Sequence, residues 1–214
     1  GTGMLVAVLD MHRDGALDAD RARGLIRPYH LRQVESDTID PAALDALQPF
    51  CTGASLLPRS AVSGRLCLSV GGARDRQGTP GWEKIIVVQE RFDPTDAIRM
   101  GGVHGLASLT PAAIHVLTSA QNLGIPMLLN LAHGGVTIDA DAGALVNRDG
   151  VVLREGDWLT ISSRHKTLYV GRALYAPARL LRFMAGETVE ITPEERPDFE
   201  HLAGYYRSWR ALLD

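Results

Sequence analysis

Short apolar runs alternate with amphipathic stretches through the middle of the chain. The run Lys84–Gln89 is rich in β-branched residues and predicts a buried strand. Similar runs predict strands over 61–70, 103–108 and 127–130, and residues 93–100 predict a short capped helix between two of them. Strands and helices that alternate at this spacing favour a parallel β-α-β layer.

The stretch Leu109–Pro126 predicts a helix that leads directly into a strand. Thr110 suits the N-cap, Pro111 the first helical position and Gly124 the left-handed residue that ends a helix. One face is apolar, with Ala112, Ala113, Val116, Leu117, Ala120 and Leu123 at helical spacing. His115 falls on the polar face, in the second predicted turn. Because the positive end of a helix attracts anions, an accessible imidazole there is a candidate phosphoryl acceptor.

Short β pieces separated by turns fill the next segment. Residues 144–147 and 151–153 flank Arg148–Gly150, which predicts a tight hairpin turn. Residues 158–161 and 167–170 predict a further pair of strands. We assign these pieces to a second, antiparallel layer.

Both ends of the chain have helical patterns. Leu17–Tyr29 predicts a helix, and Asp40 is a candidate N-cap for a short helix that begins at Pro41. The capping-box pattern Thr192–Glu195 precedes a long amphipathic tail helix. The glycine-rich residues 71–81 read as a loop. The predicted division is a helical lead-in over 1–45, an α/β domain over 46–174 and a helical tail over 175–214.

Composition narrows the class of protein. The 214 residues are 45% hydrophobic, enough for one core with appended helices, and the formal charge of −3 argues against nucleic-acid binding. No apolar stretch reaches the roughly 20 residues that span a bilayer, and the first ten residues lack the pattern of a signal peptide. Cys51 and Cys67 have no CxxC spacing, so we expect free thiols and a cytoplasmic location.

The sequence has no clear metal-binding or nucleotide-binding motif. His104, His115 and His133 have no spacing typical of metal ligands, and no metal site is predicted. The glycine-rich stretch Gly71–Gly78 lacks the Lys-Ser/Thr ending of a P-loop.

Several short motifs occur along the chain in an order that is typical of one family. They are Pro58–Gly64, Ile85–Val88 followed by Asp93–Asp96 and Met100, Leu123–Pro126, Asp149–Gly150 with Glu155–Ile161, and Tyr169–Gly171. Together they resemble the swivelling phosphohistidine domain of the PEP-utilising enzymes, and the lead-in resembles the pyruvate phosphate dikinase type of that family. The resemblance covers about residues 5–171. It implies a swivelling β/β/α fold.

The resemblance also implies a function. His115 stands nine residues before Gly124, which is the family's offset for its phosphorylated histidine. A domain of this type carries phosphate between a nucleotide site on an ATP-grasp domain and a PEP/pyruvate site on a barrel domain. Mg²⁺ with ATP and PEP or pyruvate is expected on those partner domains, with no cofactor on this chain. Neither partner domain fits in 214 residues, so the chain is expected to be a piece of a longer protein or a subunit. The candidate supporting positions are Ser108, Thr110, Gln121 and Gly105.

Two departures from the family pattern leave alternatives open. Thr110–Ile114 stands where the family has Gly-Gly-x-Thr-Ser, and Gln121 stands where it has an arginine. Gln121 cannot supply a phosphate-pairing charge. The alternative reading is a swivelling-fold module that has lost its chemistry and has a regulatory or protein-interaction role. A third is a small-molecule binder that uses the loop Gly101–Ile114.

Overall fold

The computed structural model describes residues 2–25, 38–39, 41–55, 60–189, 191, 193 and 196–213. The chain forms two compact units, one made of Gly1–Asp40 with Tyr175–Asp214 and the other of Pro41–Leu174. Residues 1–40 of the predicted lead-in thus share a unit with the tail, whereas residues 41–45 belong to the other unit together with the segment 46–174. Each unit is described by itself.

A mixed sheet forms the frame of the larger unit. Seven strands of the described chain belong to it, in the order β2-β11-β10-β3-β4-β5-β6. Their bounds are β2 Gln48–Thr52, β3 Ala61–Cys67, β4 Ile85–Gln89, β5 Gly105–Ser108, β6 Met127–Leu128, β10 Trp158–Ser162 and β11 Thr167–Val170. The strands from β3 to β6 are parallel neighbours, which confirms the predicted β-α-β layer and the α/β class.

Both faces of the parallel strands are buried. Ile86 and Val88 belong to one apolar cluster and Ile85 and Val87 to another. Because successive side chains of a strand point to opposite faces, the uninterrupted apolar run of β4 is what a doubly covered strand requires. The helices of this unit are α3 Pro41–Leu44, α4 Val70–Asp75, α5 Asp96–Arg99 and α6 Ile114–Leu123.

The hairpin of β10 and β11 lies in this same sheet, so its predicted assignment to a second layer is wrong. β10 pairs antiparallel with β3, with Ile161 opposite Val62 in one cluster. Between these strands the hydroxyls of Ser63 and Thr160 are buried and hydrogen-bonded at 2.7 Å. This polar pair satisfies both groups inside the sheet. Hydrophobic alternation alone does not say which strand edge a hairpin joins.

A separate small sheet contains the other predicted hairpin. It consists of β7 (Thr137–Asp139), β8 (Ala144–Val146) and β9 (Val152–Arg154) among the described residues. Gly150 adopts φ = 77° in the β8–β9 turn, a conformation that glycine reaches without steric cost. The predicted hairpin turn at this position is confirmed.

The glycine-rich segment after β3 is partly helical, which corrects both the strand predicted to Val70 and the loop predicted from Gly71. The Ser69 hydroxyl accepts a hydrogen bond from the N–H of Gly72 at 3.0 Å and caps α4. Val70 and Ala73 are buried against the sheet. Capping and burial therefore outweigh the low helix propensity of two glycines.

The smaller unit has its own apolar core. Its elements are α1 Thr2–Arg13, α2 Ala19–Leu25, β1 Thr38–Ile39, β12 Tyr175–Ala176, α7 Arg179–Met184 and α8 Arg196–Leu213. Leu9 of α1 and Trp209 of α8 are almost fully buried in one cluster. The amphipathic tail helix is thus confirmed. The sequence analysis did not single out α1, because its apolar run is short.

Parts of the sequence predictions lie outside the described residues. They are residues 26–29 of the predicted lead-in helix, the N-cap Asp40, Pro58 and Arg59 of the first family motif, and Thr192, Glu194 and Glu195 of the capping box. Within the described part of the chain, no helix combines the length and apolarity that crossing a bilayer requires.

Candidate functional site

His115 lies at the edge of the sheet where the parallel strands end. The chain leaves β5 at Ser108, turns through residues 109–113 and enters α6 at Ile114. Ligands of open α/β sheets bind at this carboxyl edge. The His115 side chain is exposed, while Val116 and Ala120 bury the opposite face of the helix. The predicted outward orientation of His115 is therefore confirmed.

The start of α6 differs from the prediction. Ala113, in extended conformation, is the N-cap, so His115 lies in the first turn and not the second. Ala113 has no side-chain oxygen that could cap the first turn, and the N-terminal N–H groups of a helix are open to an external anion when no side chain caps them. Gly124, with φ = 69°, ends the helix as predicted.

Thr110 holds the loop to the neighbouring strand instead of capping the helix. Its hydroxyl and its N–H both donate to the carbonyl oxygen of Glu90, at 2.8 and 3.0 Å. Glu90 follows β4 directly, so this pair of bonds joins the chain segments that leave β4 and β5. The predicted N-cap at Thr110 is wrong because its hydroxyl donates to the Glu90 carbonyl oxygen, just after the neighbouring strand, and not to the helix.

Ser108 and Gly105 lie beneath this loop. The buried Ser108 hydroxyl donates to the Thr110 carbonyl oxygen at 2.6 Å and so fixes the turn. A Cβ at Gly105 would approach Val62 Cγ1 to 2.8 Å, which explains why glycine stands there. Both positions support the strand and loop from inside the fold.

Gln121 is exposed on α6, six residues after His115. At 3.6 residues per turn the two side chains leave the helix about 120° apart around its axis. The helix by itself therefore does not bring Gln121 beside the imidazole. The Thr118 side chain leaves the helix in a direction closer to that of His115 than Gln121 does. Its hydroxyl donates to the Ile114 carbonyl oxygen, one turn earlier, at 3.0 Å.

Two other histidines of the unit are candidates in the sequence, and they lie in different segments of the chain from His115. His104 precedes β5, at the opposite edge of the sheet, and its Nδ1 accepts a hydrogen bond from the Ile85 N–H at 3.3 Å. Burial lowers the pKa of His104, and the nearby Lys84 charge lowers it further. His133 lies in the 3₁₀ turn Leu131–Gly134 after β6. No group of three His, Cys, Asp or Glu side chains able to hold a metal occurs in the described ranges.

Both cysteines are buried free thiols, as predicted. Burial raises the pKa of the Cys51 thiol to about 12 and also raises that of Cys67. Since the thiolate is the reactive form, neither side chain is suited to nucleophilic chemistry near neutral pH.

An open cleft of about 400 Å³ adjoins the Thr110 loop. It is lined by Thr110 together with Glu90, Arg91 and Asp93, which follow β4. Arg91 Nε and an Asp93 carboxylate oxygen are 3.5 Å apart, and both side chains are largely exposed, so their mutual attraction is weak. The sequence analysis did not single out Glu90 and Arg91, although their position directly after a buried strand is where α/β sheets place site residues.

Comparison with known proteins relates the chain to one group of enzymes. No family model matches it. It is 26% identical over 183 residues to the chloroplastic pyruvate, phosphate dikinase of Flaveria trinervia and 24% identical over 186 residues to pyruvate, phosphate dikinase 2 of Zea mays. These alignments cover 83% and 84% of this chain but 18% and 20% of the relatives. The chain thus spans about a fifth of the length of the curated relatives that it matches, and the similarity supports a distant relationship to pyruvate phosphate dikinases.

Proposed function

We propose that this chain is the phosphoryl-carrier segment of an enzyme like pyruvate phosphate dikinase and that His115 accepts the phosphoryl group. The observation that carries the proposal is the exposed His115 imidazole in the first turn of α6, at the carboxyl edge of the parallel strands. The distant similarity to dikinases over most of the chain supports it. So does the β/α architecture, which holds the histidine on a rigid element with its ring in solvent.

The reaction assigned to His115 is an in-line phosphoryl transfer. The lone pair of an unprotonated ring nitrogen attacks phosphorus, an N–P bond forms, and the bond from phosphorus to the leaving oxygen breaks. The leaving oxygen keeps the electron pair of the broken bond, and the other ring nitrogen releases its proton to solvent. The open N–H groups of the first α6 turn then stabilise the negative charge of the bound PO₃ group.

The donors and acceptors of this group are proposed to bind elsewhere. The dikinase relatives are about five times longer than this chain and so contain other domains. We assign the nucleotide site with Mg²⁺ to an ATP-grasp domain and the PEP/pyruvate site to a barrel domain, in the same longer chain or in separate subunits. An exposed acceptor fits this division, because each partner site must reach it in turn. A cytoplasmic location stays a prediction.

Mass spectrometry at neutral pH, under conditions that preserve acid-labile phosphate, tests the proposal. The whole chain is incubated with PEP or with ATP, Mg²⁺ and a pyruvate phosphate dikinase as the source of the partner domains. We expect phosphate on His115, its absence in His115→Gln, and unchanged labelling in His201→Gln, which removes an exposed histidine of α8.

Two results would overturn the proposal. One is labelling that persists in His115→Gln. The other is a chain that stays unlabelled while the added dikinase turns over, which would favour the module without chemistry. Chemical phosphorylation by phosphoramidate serves as a second measurement, because it reports whether the ring nitrogens are accessible without needing a partner domain.

A further inference from the structure

A second cleft, of about 240 Å³, lies where the chain beyond β2 meets the chain beyond β6. Ala54 and Leu129 exchange two backbone hydrogen bonds of 2.8 Å there. The lining side chains include Thr52, Asn130, His133 and Arg148, and none of the described residues that line the cleft carries a carboxylate. The cleft is thus a cationic and hydrogen-bonding environment.

Backbone atoms form the floor of this cleft. A Cβ at Gly53 would lie 2.8 Å from the Leu129 carbonyl oxygen, and one at Gly134 would lie 2.7 Å from the Thr52 carbonyl oxygen. Real Cβ atoms do not approach backbone oxygen so closely, so both positions require glycine. The two glycines let the segments after β2 and β6 pack directly against one another and leave the walls to polar side chains.

The turn that carries Arg148 is held in position at the wall of the cleft. It lies in the β8–β9 turn, next to the buried Asn147. The Asn147 amide donates to the Phe50 carbonyl oxygen at 2.9 Å, and its oxygen accepts from the N–H groups of Asp149 and Val151. Within the described chain, the exposed Arg148 guanidinium forms no ion pair or hydrogen bond. The backbone of the turn is thus fixed, and an exposed guanidinium with no partner in the described chain is suited to bind an external anion.

Asn130 adds a further hydrogen-bonding side chain to the lining of the cleft. Its backbone has φ = 60° and ψ = 36°, in the left-handed region that few residues other than glycine adopt. Asparagine is one of the few that do so readily, so the bend can keep a polar side chain at this position. Its side chain brings an amide donor to the same cleft as Arg148.

We propose that this cleft binds an oxyanion, the phosphate or carboxylate group of a small molecule. Arg148 is the principal charge, and the side chains of His133, Asn130 and Thr52 are the hydrogen-bond donors. The volume admits such a group but not a whole nucleotide. The proposal does not rest on phosphoryl transfer at His115, since it uses none of the residues of α6.

Titration of the whole chain with inorganic phosphate and with acetate, at constant ionic strength, tests the site. Amide resonances of Gly53 and Gly134 report on the floor of the cleft. We expect saturable shifts with at least one probe, and the stronger of the two identifies the group as phosphoryl or carboxylate. Arg148→Gln should weaken this binding by about tenfold or more. Arg154→Gln, which removes an equal charge at the far end of the same hairpin, should change it less than about twofold.

Other outcomes would overturn the proposal. They are shifts that rise without saturation for both probes, or an equal loss in Arg148→Gln and Arg154→Gln, which would mean that overall charge and not the cleft attracts anions. His133→Gln is the second variant, expected to weaken binding by severalfold while circular dichroism shows an unchanged fold. Binding that persists in His115→Gln separates this site from the phosphoryl-carrier proposal.

Discussion

Arg148 and His115 are presented by the same unit in two different ways. Arg148 lies in a turn that the buried Asn147 ties to the backbone of β2 through Phe50. His115 lies in the first turn of a helix whose N-cap, Ala113, has no capping side chain. A pre-organised turn suits a ligand that is held in one place. An exposed imidazole on an uncapped helix suits a group that must meet more than one partner.

The largest expected effect is a loss of stability when the β8–β9 turn loses the hydrogen bonds of Asn147. Asn147→Ala would leave the Phe50 carbonyl without its buried partner and the N–H groups of Asp149 and Val151 without their half-buried one. We expect the free energy of unfolding to fall by about 3 kcal/mol. Urea unfolding measures the change. Asn122→Ala, on the exposed face of α6, should change it by less than about 0.5 kcal/mol. A loss below about 1 kcal/mol for Asn147→Ala would mean that the turn is not held in this way.

The second effect is on the floor of the cleft. Gly134→Ala places a Cβ 2.7 Å from the Thr52 carbonyl oxygen, and backbone cannot move aside as a side chain can. Overpacking of this kind should cost about 2 kcal/mol of unfolding free energy and also weaken the binding of whichever anion, phosphate or acetate, the cleft prefers. Gly71→Ala is the matched control, because open space surrounds that position in α4. If both variants were equally stable, the two segments would not be in close contact.

The features of the fold that the sequence predicts correctly depend on residues that are close together along the chain. The β-branched run of β4, the αL glycine after α6 and the Asp149–Gly150 turn depend on residues within a few positions of one another. The exposed face of α6 follows from helical spacing in the same way. Each of these is confirmed in the structure.

The parts that the sequence does not predict depend on distant chain segments. The sequence predicts Thr110 as an N-cap, but in the folded chain its hydroxyl donates to the Glu90 carbonyl oxygen. The position of β10 in the sheet depends on its pairing with β3. The cleft depends on the close packing of Gly53 against the backbone of Leu129. As a turn residue, Arg148 has no sequence feature that indicates a function. Its candidate role is visible only in the folded chain, where Arg148 and Asn130 line the same cleft.

The third effect concerns the start of α6. Ala113→Ser adds a hydroxyl at the N-cap, which should raise the free energy of unfolding by about 1 kcal/mol. Because that hydroxyl would occupy N–H groups that we assign to the phosphoryl group, labelling of His115 should become slower. Thermal unfolding and the labelling rate measure the two effects. An unchanged stability would indicate that the helix begins elsewhere, whereas faster labelling would contradict the assigned role of the N–H groups.

The smallest effect concerns His104, which lies just before β5, whereas His115 lies in the helix that follows that strand. Burial lowers the pKa of His104, and a protonated Nδ1 could not accept the Ile85 N–H. The unfolded chain therefore binds this proton more readily than the folded one. Stability is fully present above the ordinary pKa of histidine and falls as the pH drops through it toward the lowered value. Urea unfolding at several pH values should show a weaker decline in His104→Asn, which keeps a side-chain acceptor. An equal decline in the original protein and in the variant would assign the pH dependence to other groups.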